Sequence, residues 1–136
     1  RLAFLKDEVP IGAVIVNKKG KIASKSRNKN RELYDPTAHA EILAIRMACK
    51  RFKTDKLFGY SMYVTLQPCE MCLQAIINAG ISNLYYGATN TENENLQKKY
   101  VSISGDQNFK MEIYPSINEK KCSDLLLNFF KSKRIK

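Results

Sequence analysis

Apolar residues recur along the chain with two different periods. Ala13-Val14-Ile15-Val16 is a continuous apolar run of strand length, and Asn17-Lys18-Lys19-Gly20 has the composition of a turn. Lys21 to Arg27 returns as a second strand, so this stretch predicts a β-hairpin. Asn28 to Tyr34 is polar and basic and reads as a loop. Asp35-Pro36 then offers a helix cap followed by proline at the first helical position. Behind it Ala38, Ile42, Ile45, Cys49 and Phe52 recur at helical spacing, which predicts an amphipathic helix to about Phe52 with these residues as its apolar face.

Tyr60 to Leu66, rich in aromatic and β-branched residues, predicts a third strand ended by Pro68. Cys69 to Ala79 predicts a second helix closed by Gly80, and Leu84-Tyr85-Tyr86-Gly87 a fourth strand. Thr89 to Asp106 is polar and gives no clear pattern. Lys110 to Tyr114 reads as a fifth strand. The final segment sets Cys122, Leu125, Leu126, Phe129 and Phe130 on one helical face, with Lys131, Lys133, Arg134 and Lys136 crowding its end. No repeat, linker or low-complexity stretch interrupts this order, which describes one domain over residues 1–136, a mixed sheet with helices packed on its faces.

Charge changes the picture more than composition does. A hydrophobic fraction of 44% is ordinary for a globular chain of 136 residues, but 23 basic against 13 acidic side chains leave a net charge of +10. Such a surplus on a small domain favours polyanionic partners, and the alternative is simply a lysine-rich surface. No apolar run approaches the roughly 20 residues needed to span a bilayer, and the first residues lack the apolar stretch of a signal peptide. Four cysteines are too few for a disulfide scaffold in a chain able to build a core, so reduced thiols and a cytoplasmic location are expected. Because the chain opens on Arg1 without an initiator Met, its N-terminus is expected to have been trimmed or left out of the structure.

Two short motifs carry candidate chemistry: His39-Ala40-Glu41 and Pro68-Cys69-Glu70-Met71-Cys72. The second places two thiols three positions apart at a helix start, where both face one point and the helix end favours thiolate, the metal-binding form. With His39, the sole histidine, they make three zinc ligands and leave a fourth tetrahedral position for water, as in a catalytic site. Glu41, two residues from His39, is placed to move protons. Each motif alone has ordinary readings. A Cys-x-x-Cys is also a redox pair, half of a structural zinc site or two core thiols, and a lone histidine is usually structural. Their joint occurrence, in order and each at a helix start, favours catalytic zinc. For Cys49 and Cys122, on apolar helical faces, core packing is expected.

The combination H-x-E with P-C-x-x-C matches the signature of zinc nucleobase deaminases. The chain resembles, more narrowly, the tRNA-specific adenosine deaminases of the cytidine-deaminase-like superfamily. The resemblance runs from Glu8-Val9-Pro10-Ile11-Gly12-Ala13-Val14 through Asn28 and Asp35-Pro36-Thr37-Ala38-His39-Ala40-Glu41-Ile42. It continues over Tyr63-Val64-Thr65-Leu66, Pro68 to Cys72 and Tyr86-Gly87-Ala88 to the closing Leu126–Arg134. It implies a three-layer α/β/α fold around a mixed five-stranded sheet, one Zn2+ per subunit, a homodimer, and a tRNA anticodon stem-loop whose wobble adenosine is flipped out and converted to inosine. It also implies that Asn28 hydrogen-bonds the purine with help from the Ala40 backbone N–H, and that Val9, Pro10 and Leu66 wall the pocket. Lys133 and Arg134 would meet phosphates. Asn28 has a plainer reading, as a turn residue after a strand. Three positions depart from the family pattern: Gln67 stands where relatives usually carry Glu, Gln74 where Gly is common, and Asn90 where bacterial members have an Asp thought to touch a ribose hydroxyl.

Two rivals follow from the same residues. One is a deaminase of free guanine or cytosine, since guanine deaminases share much of Asp35 to Glu41. The other is a non-catalytic zinc module that binds RNA or a partner chain. Seven basic and no acidic side chains between Lys18 and Arg31 favour RNA over a free base, and the presence of Glu41 favours an enzyme over a module. Replacing Lys133 and Arg134 by Ala is expected to weaken RNA binding and flatten its salt dependence without altering zinc content. Titration of RNA at several salt concentrations checks this, and unchanged affinity and slope would remove the terminal segment from the interface.

Overall fold

The hairpin expected at the start of the chain is present in the computed structural model, which describes residues 9–89, 96, 100, 111–118 and 120. Strands β1 (Gly12–Val16) and β2 (Ile22–Arg27) pair antiparallel, with a register shift between Ile15 and Val16. Asn17 builds the turn: its Oδ1 accepts from the amides of Lys19 and Lys21 at 2.9 and 3.0 Å, while Gly20 takes a φ of 81° that only glycine adopts freely.

The other edge of β1 pairs antiparallel with β3 (Ser61–Leu66), which pairs parallel with β4 (Asn83–Ala88), itself parallel to β5 (Glu112–Tyr114). The sheet order is β2-β1-β3-β4-β5. Parallel neighbours require a crossover, and helix α2 (Glu70–Ala79) supplies it between β3 and β4. Helix α1 (Ala40–Phe52) carries the chain from β2 past β1 to β3.

Period-2 alternation decides what the sheet buries. Ala13, Ile15, Met62, Val64, Leu84 and Tyr86 join one core with the alanines of α1 and with Leu73, Ile76 and Ile77 of α2. Alternate positions point the other way, where Tyr63 and Tyr85 stack at 4.4 Å between ring centroids and Tyr85 and Tyr114 at 4.7 Å. Of the stretch that gave no clear pattern, Leu96 and Tyr100 are helical and buried. The Tyr100 hydroxyl accepts the Met111 amide at 2.7 Å, directly ahead of β5. The expected final helix with Cys122, Lys133 and Arg134 lies outside the described residues, as does Asn90.

Two expectations about α1 are corrected. The helix begins at Ala40 and not behind Asp35-Pro36. Asp35 instead closes a tight turn, its carboxylate accepting from the Thr37 hydroxyl at 2.7 Å and amide at 2.8 Å, and these bonds hold its pKa below the usual value. The buried stripe is also rotated from the predicted one. It consists of Ala40, Ala44 and Ala48 with Glu41, whereas Ile42, Ile45 and Cys49 are half-buried and Phe52 is exposed. Three alanines four residues apart let the helix backbone settle directly on β1 and β2. Across that seam the Ser24 hydroxyl donates to the Ala44 carbonyl at 2.8 Å, and Ile45 and Cys49 pack at the margin of the core. Strand bounds agree with expectation to within a residue or two; β5 is the shortest, at 3 residues.

Overpacking this seam is the clearest way to damage the fold. Ala44→Leu is expected to lower unfolding free energy by about 1–3 kcal/mol. Met47→Leu, on the exposed side, should change it by less than about 0.5 kcal/mol. Urea unfolding midpoints check both, and equal midpoints would show that α1 has room to move off the sheet.

Candidate active site

Both helices begin at the same edge of the sheet. The start of β1 and the end of β3 meet there through a bond from the Gly12 amide to Thr65 Oγ1 at 3.1 Å, and the ends of β3 and β4 through the register Leu66 with Ala88. His39 is the N-cap of α1 and Cys69 the N-cap of α2. Both have extended backbones, with ψ of 152° and 174°, and neither side chain caps its own helix. A Ser, Thr, Asp or Asn in either place would add about 1 kcal/mol of capping stability. The two side chains face each other instead.

His39 Nδ1 lies 3.4 Å from Cys72 Sγ and 3.7 Å from Cys69 Sγ, and all three donor atoms fall within 4.8 Å of one another. Zinc bonds of about 2.3 Å to sulfur and about 2.0–2.1 Å to nitrogen, set at a tetrahedral angle, separate the two atoms by about 3.6 Å. The observed spacings bracket that distance, so the donor set fits zinc in both chemistry and dimension. Among the described residues no other group of three His, Cys, Asp or Glu has such geometry.

A hydrogen bond from Cys72 holds the Cys69 thiol down, to about 5, although its partial burial opposes this. Cys72 is raised by the same bond, by burial and by the neighbouring Glu41 carboxylate. The positive ends of two helix dipoles add to the pull toward thiolate. Glu41 sits in the first turn of α1 with 4% of its surface exposed, and burial pushes its carboxyl above the ordinary range. A buried carboxyl against a set of metal donors is equipped to accept a proton and give it back.

Asn28, 7% exposed, follows β2 and is tied into this arrangement. Its Oδ1 accepts from the Ala40 amide at 2.9 Å, so the N–H expected to assist at a purine is engaged by Asn28 itself. With its carbonyl end fixed, Asn28 has its NH2 end to offer a ligand. The Asn28 amide donates to the Ile11 carbonyl at 3.0 Å and the Ile11 amide to the Val9 carbonyl at 2.8 Å, which brings half-buried Val9 and buried Pro10 alongside. Half-buried Leu66 ends β3 on the same edge. Gln67, singled out in the sequence only as a departure, is 4% exposed, and its amide donates to the Ala88 carbonyl at 2.8 Å. The signal for its burial was its place in an unbroken run from β3 into Pro68. Tyr34, left inside a polar loop by its neighbours' composition, is the other residue sequence reasoning passed over.

Comparison with known proteins identifies the group to which this site belongs. Residues 2–88 match the family model described as the cytidine and deoxycytidylate deaminase zinc-binding region. The chain is 41% identical over 136 residues to a tRNA-specific adenosine deaminase of Agrobacterium fabrum, covering 99% of this chain and 89% of the relative. It is 42% identical to one of Aquifex aeolicus, covering 97% and 87%. A solved structure from a study of A-to-I editing by tRNA:A34 deaminases at the wobble position superposes with a TM-score of 0.84 at 40% identity, covering 93% of this chain and 91% of that one. A guanine deaminase from Nitrosomonas europaea superposes with a TM-score of 0.78 at 19% identity, over 95% and 77% of the two chains, and shares the fold. His39, Cys69 and Cys72 all lie within the matched zinc-binding region, and the chain belongs to the tRNA-specific adenosine deaminase family.

Proposed function

We propose that this protein converts adenosine to inosine at the wobble position of a tRNA anticodon by hydrolytic deamination. The observation that carries the proposal is the meeting of His39, Cys69 and Cys72 around one point with buried Glu41 beside them. It stands in a chain 41–42% identical, over nearly its full length, to enzymes of that name.

His39, Cys69 and Cys72 hold the metal. Zinc bound there supplies the Lewis acidity that makes water a nucleophile near neutral pH. Glu41 takes a proton from the attacking water and delivers it to the purine ring nitrogen, then takes the remaining proton of the added hydroxyl and gives it to the departing amine, so that adenosine and water become inosine and ammonia. Its burial keeps bulk solvent from exchanging that proton. Asn28 presents its NH2 group to an acceptor on the purine, with its own orientation fixed by the Ala40 amide. Val9, Pro10 and Leu66 form the pocket walls and exclude water. Asn90 meets the ribose, and Lys133 and Arg134 the phosphates.

The anticodon stem-loop suits the charge of +10, which a free base would not need. A homodimer acting in the cytoplasm, where tRNA is handled, completes the reading. Among the described residues no helix is long and apolar enough to cross a membrane.

The deciding assay incubates zinc-loaded protein with an anticodon stem-loop bearing a wobble adenosine, with free adenine, guanine and cytosine in parallel. Inosine in the RNA with no free-base turnover is expected; turnover of guanine or cytosine alone would transfer the same site to a free-base deaminase. His39→Ala and Cys72→Ala are expected to lower metal content from about one zinc per chain to nearly none, checked by elemental analysis. Glu41→Gln should keep its zinc and its melting temperature while losing about 10²- to 10⁴-fold in turnover. Parental activity in that variant would remove Glu41 from the chemistry.

A further inference from the structure

The loop between β2 and α1 is braced at both ends beside the site. Its neck is closed by the Ala40 amide on Asn28 Oδ1 and the Lys29 amide on the Ala38 carbonyl, both at 2.9 Å. Inside, the Leu33 amide donates to the Lys29 carbonyl at 2.9 Å and the Asp35 amide to the Asn30 carbonyl at 3.0 Å. Glu32 is paired with Arg27 at 3.0 Å, and the Asp35 carboxylate holds Thr37.

On this frame two apolar side chains face outward, Leu33 at 49% and Tyr34 at 94% exposure. Tyr34 also has a φ of 50°, in the left-handed region that bulky side chains avoid. An aromatic ring held almost entirely in water, on a backbone that disfavours it, adds nothing to the core. The strand leading into the loop and the loop's own start are cationic, with Lys25, Arg27, Lys29 and Arg31 in sequence.

We propose that Tyr34 is a stacking platform for an unpaired RNA base next to the reacting adenosine. The inference rests on the deaminase reading and adds a contact to it. An adenosine that reaches His39 and Glu41 must leave its stack, and its neighbour loses a stacking partner in the same step. An exposed aromatic face at the rim of the site replaces that partner. Because every base has a π-face, the contact holds the opened loop without selecting its sequence. Leu33 supplies an apolar edge beside the ring, and the surrounding cations meet the phosphates.

The chain contains no tryptophan, so Tyr34→Trp introduces a single fluorescent reporter at this position. Zinc-loaded Tyr34→Trp is titrated with an anticodon stem-loop carrying wobble guanosine and, separately, with a blunt, fully paired RNA duplex. Quenching by the stem-loop and none by the duplex is expected; equal quenching by both, or by neither, overturns the proposal. In kinetics on the wobble-adenosine stem-loop, Tyr34→Ala should raise KM by about 5- to 100-fold with little change in kcat, while Tyr34→Phe keeps the parental KM. A Phe variant as impaired as Ala would assign the effect to the hydroxyl, and an Ala variant with parental KM would end the idea. Tyr34→Ala should also match the parent in zinc content and melting temperature, since a ring this exposed supports no packing; a lower melting temperature would make its role structural. If the parent protein deaminates no RNA adenosine, it is the deaminase reading that fails, and the tryptophan titration still reports stacking on its own.

Discussion

Two helices that start at one edge of a sheet, each with its N-cap side chain turned away from its own helix, set the terms for the remaining structure. His39 reaches Cys72 at 3.4 Å only if α1 lies close to the sheet and α2 returns from β3 to the same edge. The alanine seam of α1 meets the first requirement, and the parallel pairing of β3 with β4 meets the second. Asn28 then locks β2 to the first amide of α1, so the residues flanking the metal donors are held by hydrogen bonds independent of any metal. Capping stability forgone at both helices is the cost of pointing an imidazole and a thiolate at each other.

How much was legible in the sequence depended on which physical signal a residue carries. The grouping of His39, Cys69 and Cys72 was readable because metal binding accepts few side chains, and the spacing of a helix turn restricts them further. Strands were readable where alternation or β-branching is strong, as in β1 and β3. The start of α1 was misread because Asp35-Pro36 mimics a cap, while the real boundary at His39 has a side chain occupied elsewhere. Its buried face was misread because a stripe of large residues looks like the core, whereas close approach to a sheet selects the small ones. Tyr34 was opaque because exposure of a phenol runs against composition, and burial of Gln67, which also runs against composition, was signalled only by its place in the run from β3 into Pro68.

The electrostatic arrangement divides the labour among the ionisable groups. The Cys69 thiol at the start of α2 is drawn toward the charged form, while the Cys72 thiol and the buried Glu41 carboxyl are drawn toward the neutral one. Opposite tendencies a few ångströms apart allow one small site to hold a cation and carry a proton. Outside it, the end of β2 and the loop that follows carry Lys25, Arg27, Lys29 and Arg31, a cationic stretch suited to a polyanion.

The bond from the Gly12 amide to Thr65 spans 53 positions of sequence, and it marks the seam between two locally connected halves: the hairpin with α1, and β3-α2-β4. Each half is made of near neighbours and needs little loop closure to form. The donors are divided between them, His39 on one and the cysteines on the other. The ligand triad is therefore assembled by a long-range contact, so closing the sheet and creating the metal's affinity are one event. Nascent chains in which that pairing has not occurred carry a lone cysteine pair on one side and a lone histidine on the other, so full coordination serves as a readout that the sheet has closed in register.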